Sequence, residues 1–335
     1  MVYIYRKKIG NKEYFYLRTS IRKASKLVVK DIAYLGNDFS KIKEKIDKLP
    51  SSYSKKIKKS YKSIDKFIES NYYLNKVKEM KLKKNKYFSK NALSEIEACK
   101  VHWDKAFNKT DETTKHEVFQ DFLVEFAYNS TGIEGNTISL KEVQNLLIED
   151  LTPKNKTLRE IYDLKNTQKV FFELLESPDE KINHDLICEV HDKLLKDIDS
   201  RKGYRVKDVR LRKVRFKSTP TPYVLTDMKI LLEWYKENEK KLHPLVLASL
   251  FHHKLEKIHP FMDGNGRTGR MLMNYILMQK DYPPVILRKK NRPQYIEKLN
   301  KADKSGLTEA ETKHYNQLLE FTVKELTENY WNHFL

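Results

Sequence analysis

Glycine is rare in this chain and clustered where it occurs. The 335 residues hold nine glycines, and five fall in two short segments: Gly132 and Gly135 in one, Gly264, Gly266 and Gly269 in the other. So few points of backbone freedom favour long regular elements, with the two segments marking tight turns. From about residue 92 the apolar side chains recur at helical spacing. The pattern predicts helices over 92–108, 113–131, 139–149, 156–176, 182–197, 224–240, 243–258, 266–280, 291–303 and 309–332. A mainly all-α fold is expected. Residues 201–224 interrupt it with β-branched alternation and two prolines, which suggests a short hairpin.

The first 85 residues read differently, as a small α/β extension. Val2, Tyr3, Ile4 and Tyr5 lead to a Gly10-Asn11 turn, Tyr14 to Leu17 follow, and Leu27 to Leu35 form a third strand before Gly36. Lys-rich helices broken near Pro50 come next, and the basic stretch 75–90 reads as a linker or exposed helix end. The chain has 66 Lys and Arg against 46 Asp and Glu, a net +20, which favours anionic partners without choosing among them. Basic residues interleaved with tyrosines make nucleic acid one candidate for 1–85, behind structural docking and protein recognition. Cys99 and Cys188 stand far apart, in no disulfide framework or zinc spacing. No apolar run approaches the ~20 residues of a membrane span, and MVYIYRKKIG has no signal-like core, so a cytoplasmic protein is expected.

Chemistry concentrates in His259-Pro260-Phe261-Met262-Asp263-Gly264-Asn265-Gly266-Arg267-Thr268-Gly269-Arg270. An amphipathic helix precedes the stretch and another follows it. Pro260 ends the first at His259, and the Gly264-Asn265-Gly266 turn opens the second. A helix N-terminus behind glycines is an anion site, because orphan amides and the helix dipole both favour negative charge. Arg267 and Arg270, three apart on that helix, can hold separate phosphate oxygens. Asp263 is placed for a Mg²⁺ that bridges phosphates, and His259 titrates near neutrality as a general base should.

HPFMDGNGRTGR resembles, residue for residue, the signature HPFx(D/E)GNGRxxR of the Fic family, and the resemblance extends over roughly 92–330. It implies a Fic-fold helical bundle with a short hairpin flap, ATP as substrate, Mg²⁺, and transfer of AMP to a Ser, Thr or Tyr hydroxyl of a protein. On that resemblance His259 is the base, Asp263 holds Mg²⁺ and Phe261 anchors the loop. Gly264, Asn265 and Gly266 form the anion hole, with the Asn265 side chain on the α-phosphate. Arg267 takes the α/β-phosphates and Arg270 the γ-phosphate. Gly266 stands where the kinase-like Doc branch carries Lys, which favours nucleotidyl transfer.

A second motif, Ser130-Thr131-Gly132-Ile133-Glu134-Gly135-Asn136, resembles the family's inhibitory signature (S/T)xxxE(G/N) in its class II position. A carboxylate at a helix end can pair bidentately with a guanidinium. The resemblance implies that Glu134 pairs with Arg270 and denies it to the γ-phosphate, and that the same residue could serve AMP removal. Further implied are a target-docking flap with Val214, Arg215, Phe216 and Tyr223, and an adenine pocket lined by Tyr295 and Ile296. Asp303 replaces an Asn of similar proteins there. His252 matches a buttressing position, whereas His184, His191 and His243 read as structural. The expected organisation is an extension over 1–85 and a Fic domain over 86–335, with the inhibitory helix at about 113–136 and the core at about 180–305. Partners implied are an unknown protein substrate, self-modification and a homodimer, with no membrane. The competing reading is a nucleotide-sensing or partner-binding module without significant transfer.

Overall fold

The computed structural model describes residues 2–10, 12–23, 26–208 and 218–335. It separates into two compact units, Met1–Leu82 and Lys83–Phe334.

The first unit is built on an antiparallel sheet in the order β1 (Val2–Ile9), β2 (Lys12–Lys23) and β3 (Lys26–Gly36). Gly10 turns at φ +59° between the first two strands, as the glycine signal predicts. One face buries Val2, Ile4, Phe15, Leu17 and Leu35 against Ile42 and Ile46 of α1 (Ile42–Asp47) and Ile64 of α3 (Tyr61–Lys78). Between those helices lies α2 (Ser51–Lys58), which Pro50 precedes as its N-cap. Two register shifts between β2 and β3 skip Leu35 and Ile32, letting both side chains turn toward this core.

The second unit is helical: α4 (Lys90–Lys105), α5 (Glu112–Ile133), α6 (Leu140–Ile148), α7 (Leu158–Glu176), α8 (His184–Leu194), α9 (Val224–Asn238), α10 (Pro244–Ile258), α11 (Asn265–Gln279), α12 (Arg292–Ala302) and α13 (Thr312–His333). The predicted helices are all present. Boundaries follow side-chain caps: Asp111 accepts from the Thr114 amide, Asn183 from Leu186, and Ser139–Glu142 and Thr157–Glu160 form capping boxes. Helix α10 is apolar around nearly its whole girth, with Leu245, Val246, Leu247, Leu250, Phe251, Leu255 and Ile258 buried, and so forms the centre of the bundle. It packs against α9, α11 and α13. Among the described residues no helix is long and apolar enough to cross a membrane.

The hairpin expected over 201–224 takes another form where it is described. Residues 201–208 and 218–220 carry no strand, and Thr221–Tyr223 is a short 3-10 turn leading into α9. Val214, Arg215 and Phe216 lie outside the described residues.

Candidate active site

The turn between α10 and α11 is shaped by side chains that bond its backbone. His259 follows the last residue of α10 in the left-handed region, φ +55° and ψ +58°, a conformation an L-residue adopts only under constraint. Arg205 supplies the constraint. Its Nε donates to the His259 carbonyl at 2.8 Å and its own amide to the Pro260 carbonyl at 2.8 Å. The same buried guanidinium donates to the Thr221 hydroxyl at 2.7 Å and to the Thr219 carbonyl, tying the turn to the chain entering α9. Phe261 is fully buried with its ring stacked 3.8 Å from that of His191, whose Nε2 lies 3.2 Å from the Asp263 carbonyl oxygen.

Asn265 closes the turn. Its Oδ1 accepts from the Phe261 amide and its Nδ2 donates to the Phe261 carbonyl, both at 2.9 Å, and the residue is buried. The side-chain amide thereby bridges the backbone N–H and C=O of Phe261. Gly264 takes φ +77°, and a Cβ there would strike Leu195. No side chain caps α11, which leaves its first-turn amides suited to an anion.

Both arginines of the motif are buried, and each faces an acid from another helix. Arg267 bonds Asp163 of α7 and reaches Asp263 Oδ1 at 3.4 Å. Arg270 donates through Nε to the Ser130 hydroxyl at 3.0 Å, and through Nη2 to the Ser130 carbonyl and Glu134 Oε1, both at 2.8 Å. The Glu134 contact is therefore single rather than bidentate, with Ser130 filling the rest of the fork. The carboxylate also leans on the first turn of α11: a Cβ at Gly266 would collide with Glu134 Oε1. Neighbours hold the helix end in place. Lys289 donates from its amide to Asn129 Oδ1 at 2.9 Å and from Nζ to the Asn136 carbonyl at 3.1 Å, and Arg292 Nε donates to the Ile133 carbonyl at 2.6 Å.

Burial pushes His259 below the ordinary imidazole range, opposed by the hydrogen bond that its ring donates to the Glu256 backbone carbonyl. Burial thereby favours the neutral ring, the form in which a base acts. Glu256 Oε2 lies 3.9 Å from His259 Nδ1, and burial, reinforced by Glu134, pushes its carboxyl up to about 8. Burial acts to raise the Asp263 carboxyl, but Arg267 and Arg159 outweigh it and hold it below the usual range. One Asp263 oxygen bonds Arg159 and the other accepts from the Gly264 amide at 2.6 Å. No group of three or more His, Cys, Asp and Glu able to hold a metal occurs among the described residues. A single carboxylate suffices for Mg²⁺ when substrate phosphates complete the shell, and the half-exposed Arg159 side chain can swing clear. The donor set fits a metal that arrives with a nucleotide.

Tyr295 is buried beside the motif. Its hydroxyl lies 2.5 Å from His252 Nε2, its ring stacks on Phe321, and only 2% of it is exposed. It lies against the Arg270 guanidinium as a support. His252 fills the gap left by Gly269, in keeping with a buttress. Asp303 bonds His253 Nε2 at 2.9 Å. Three residues of the constellation were not apparent from sequence: Asp163, Arg159 and Arg205. Asp163 carried one signal, being an acid in a helical stripe otherwise made of Ile161, Leu164, Thr167, Val170 and Phe171, where burial requires a cationic partner.

Residues 181–277 match the model of the Fic/DOC family. The protein adenylyltransferase fic-1 of Caenorhabditis elegans is 31% identical over 187 residues, covering 54% of this chain and 37% of that protein. The protein adenylyltransferase Fic of Aedes aegypti is 33% identical over 196 residues, covering 56% and 38%. The chain thus matches about two fifths of the length of these curated relatives. Among solved structures, a Fic-domain-containing signaling protein of Bacteroides thetaiotaomicron superposes with a TM-score of 0.64 at 23% identity, over 70% of this chain and 95% of that one. A segment of C. elegans Fic-1 superposes at 0.59 with 26% identity, over 72% and 70%. The helical unit carries a Fic domain.

Proposed function

We propose that this Fic-domain chain is a protein adenylyltransferase restrained by its own Glu134. It moves AMP from ATP to a Ser, Thr or Tyr hydroxyl of a protein target or of itself. The observation that carries the reading is the Glu134 carboxylate, which lies on Arg270 and against Gly266 at the N-terminus of α11. That is where an incoming phosphate chain would seek its donors.

The chemistry follows from the residues. His259, whose burial favours the neutral ring, takes the proton of the target hydroxyl. The hydroxyl oxygen bonds the α-phosphorus while the bond to pyrophosphate breaks. First-turn amides of α11 receive the α-phosphate, Arg267 the α/β oxygens and Arg270 the γ-phosphate, so preorganised donors stabilise the charge that develops. Asp263 would hold Mg²⁺, which would supply charge neutralisation to the pyrophosphate. Arg205 keeps the His259 backbone in its left-handed turn. Target docking is assigned to 214–223, of which Tyr223 is 61% exposed. Glu134 restrains the reaction by holding Arg270 away from the γ-phosphate.

The test uses ATP labelled at either the α or the γ position, incubated with the Glu134→Gly chain, Mg²⁺ and cell lysate. The α label should become covalently attached to protein and the γ label should not. Attachment of the γ label would make the chain a kinase, and attachment of neither would leave it a nucleotide-binding module.

A further inference from the structure

The sheet of the first unit has one face packed and one face turned outward, and the outward face has an unusual composition. Val2, Ile4, Phe15 and Leu17 are buried in the core, so their alternates Tyr3, Tyr5, Tyr16 and Arg18 share the opposite face. Register aligns them in rows. Tyr5 pairs with Tyr16, and Tyr16 with Tyr34, so three tyrosines cross all three strands. Tyr3, Arg18 and Asp31 form the row on one side, and Lys7 and Tyr14 the row on the other.

The rings are already organised as stacking surfaces. The Arg18 guanidinium lies 3.6 Å above the centre of the Tyr5 ring, and its ion pair with Asp31 at 2.6 Å keeps its plane fixed. The Tyr16 and Tyr34 rings lie 5.2 Å apart, and Tyr34 is 56% exposed. Beyond the tyrosines, Arg22 continues the outward face of β2 in step with Tyr16 and Arg18, and it is exposed. Residues 1–82 hold 22 Lys and Arg against 8 Asp and Glu, so +14 of the chain's +20 resides in about a quarter of its length. Anionic groups complement that charge, and a sheet-borne row of aromatic and guanidinium planes complements unstacked bases.

We infer that the outward face of this sheet binds single-stranded nucleic acid, with bases stacked on Tyr34, Tyr16 and the Arg18–Tyr5 pair and the phosphates neutralised by Lys7 and Arg22. Stacking reads no particular base, so binding is tolerant of sequence. A duplex keeps its bases paired and offers only its phosphates, so it binds more weakly at moderate salt.

The full chain titrated against a fluorescein-labelled thymidine 20-mer, read by anisotropy, tests this. The single strand should bind at least fivefold more tightly than a duplex of equal length at 150 mM salt. Tyr34→Ala should weaken binding at least fivefold with the salt slope unchanged, and Tyr34→Phe should restore it. Lys7→Gln should lower the slope of log Kd against log salt by about 0.7. Equal affinity for duplex and single strand, or Tyr34→Ala binding like the parent, overturns the stacking face. Absence of oligonucleotide binding beside retention on anionic vesicles overturns the choice of partner. If Tyr34→Ala melts early, Lys7→Gln and the duplex comparison decide the matter unaided.

Discussion

Arg267 and Arg270 stand three residues apart on one helix, both buried and each facing one carboxylate from elsewhere in the chain, yet the two pairs are built differently. Asp163 projects from the middle of α7 and its side chain is 11% exposed, whereas Glu134 caps the end of α5 and is 41% exposed. Asp163 is the main buried counter-charge of Arg267, and burial works to raise its carboxyl against that attraction. Arg270 has a second acceptor in Ser130, whose hydroxyl and carbonyl remain if Glu134 leaves. One pair is a strut that the fold needs. The other is a latch, whose release takes the carboxylate from Arg270 but leaves its guanidinium hydrogen-bonded to Ser130.

The difference is broken most severely at the shared helix. In the Glu134→Gly background, Arg270→Ala should lower the transfer rate about a thousandfold, a loss of ~4 kcal/mol, because the guanidinium that the latch holds is the one that aligns the γ-phosphate. Single-turnover kinetics checks this; an active double variant would mean that Arg270 serves only to hold Glu134. Next in size is the strut. Asp163→Ala leaves Arg267 buried with only the more distant Asp263 as counter-charge, at a cost of about 3 kcal/mol, and scanning calorimetry should show the melting temperature fall by roughly 6–12 °C. Glu134→Gly should move it by less than about 2 °C. Equal shifts in the two variants would remove the distinction.

Two smaller effects sharpen the comparison. Arg292→Ala removes the 2.6 Å bond to the Ile133 carbonyl that steadies the end of α5, so the otherwise unmodified chain should gain about threefold in basal rate, ~0.7 kcal/mol. An unchanged rate would show that the latch does not depend on that anchor. The pH profile of the Glu134→Gly chain should be gentler still. A depressed His259 stays neutral to lower pH than an ordinary imidazole, so the acid limb should fall below about 6.5. A limb above that range would contradict the neutral buried base.

How far the sequence reveals this arrangement depends on the range of each interaction. The helices announce themselves through apolar spacing and caps, and the three-stranded sheet through the turn at Gly10, because both signals are local. The motif turn is legible for the same reason: Pro260, Gly264 and Gly266 shape the backbone within a few residues. Asp163 and Arg159 are 104 residues from their partners Arg267 and Asp263, and no spacing connects them. Asn265 and Tyr295 expose a different limit. Residue type marks them as able to bind a ligand, but only packing reveals that Phe261 and His252 already occupy their polar groups. The latch lies between these cases: Glu134 is visible at its helix end, while the single contact and the part played by Ser130 emerge only from the fold.

The most direct test of the latch is the initial rate of AMP transfer, to a protein substrate or to the chain itself, in the parent and in Glu134→Gly at equal ATP and Mg²⁺. Freeing Arg270 should raise the rate at least tenfold, about 1.4 kcal/mol, while the melting temperature stays within about 2 °C of the parent. Equal rates in two equally folded proteins would contradict the account, leaving Glu134 as a helix-end acid that happens to touch an arginine.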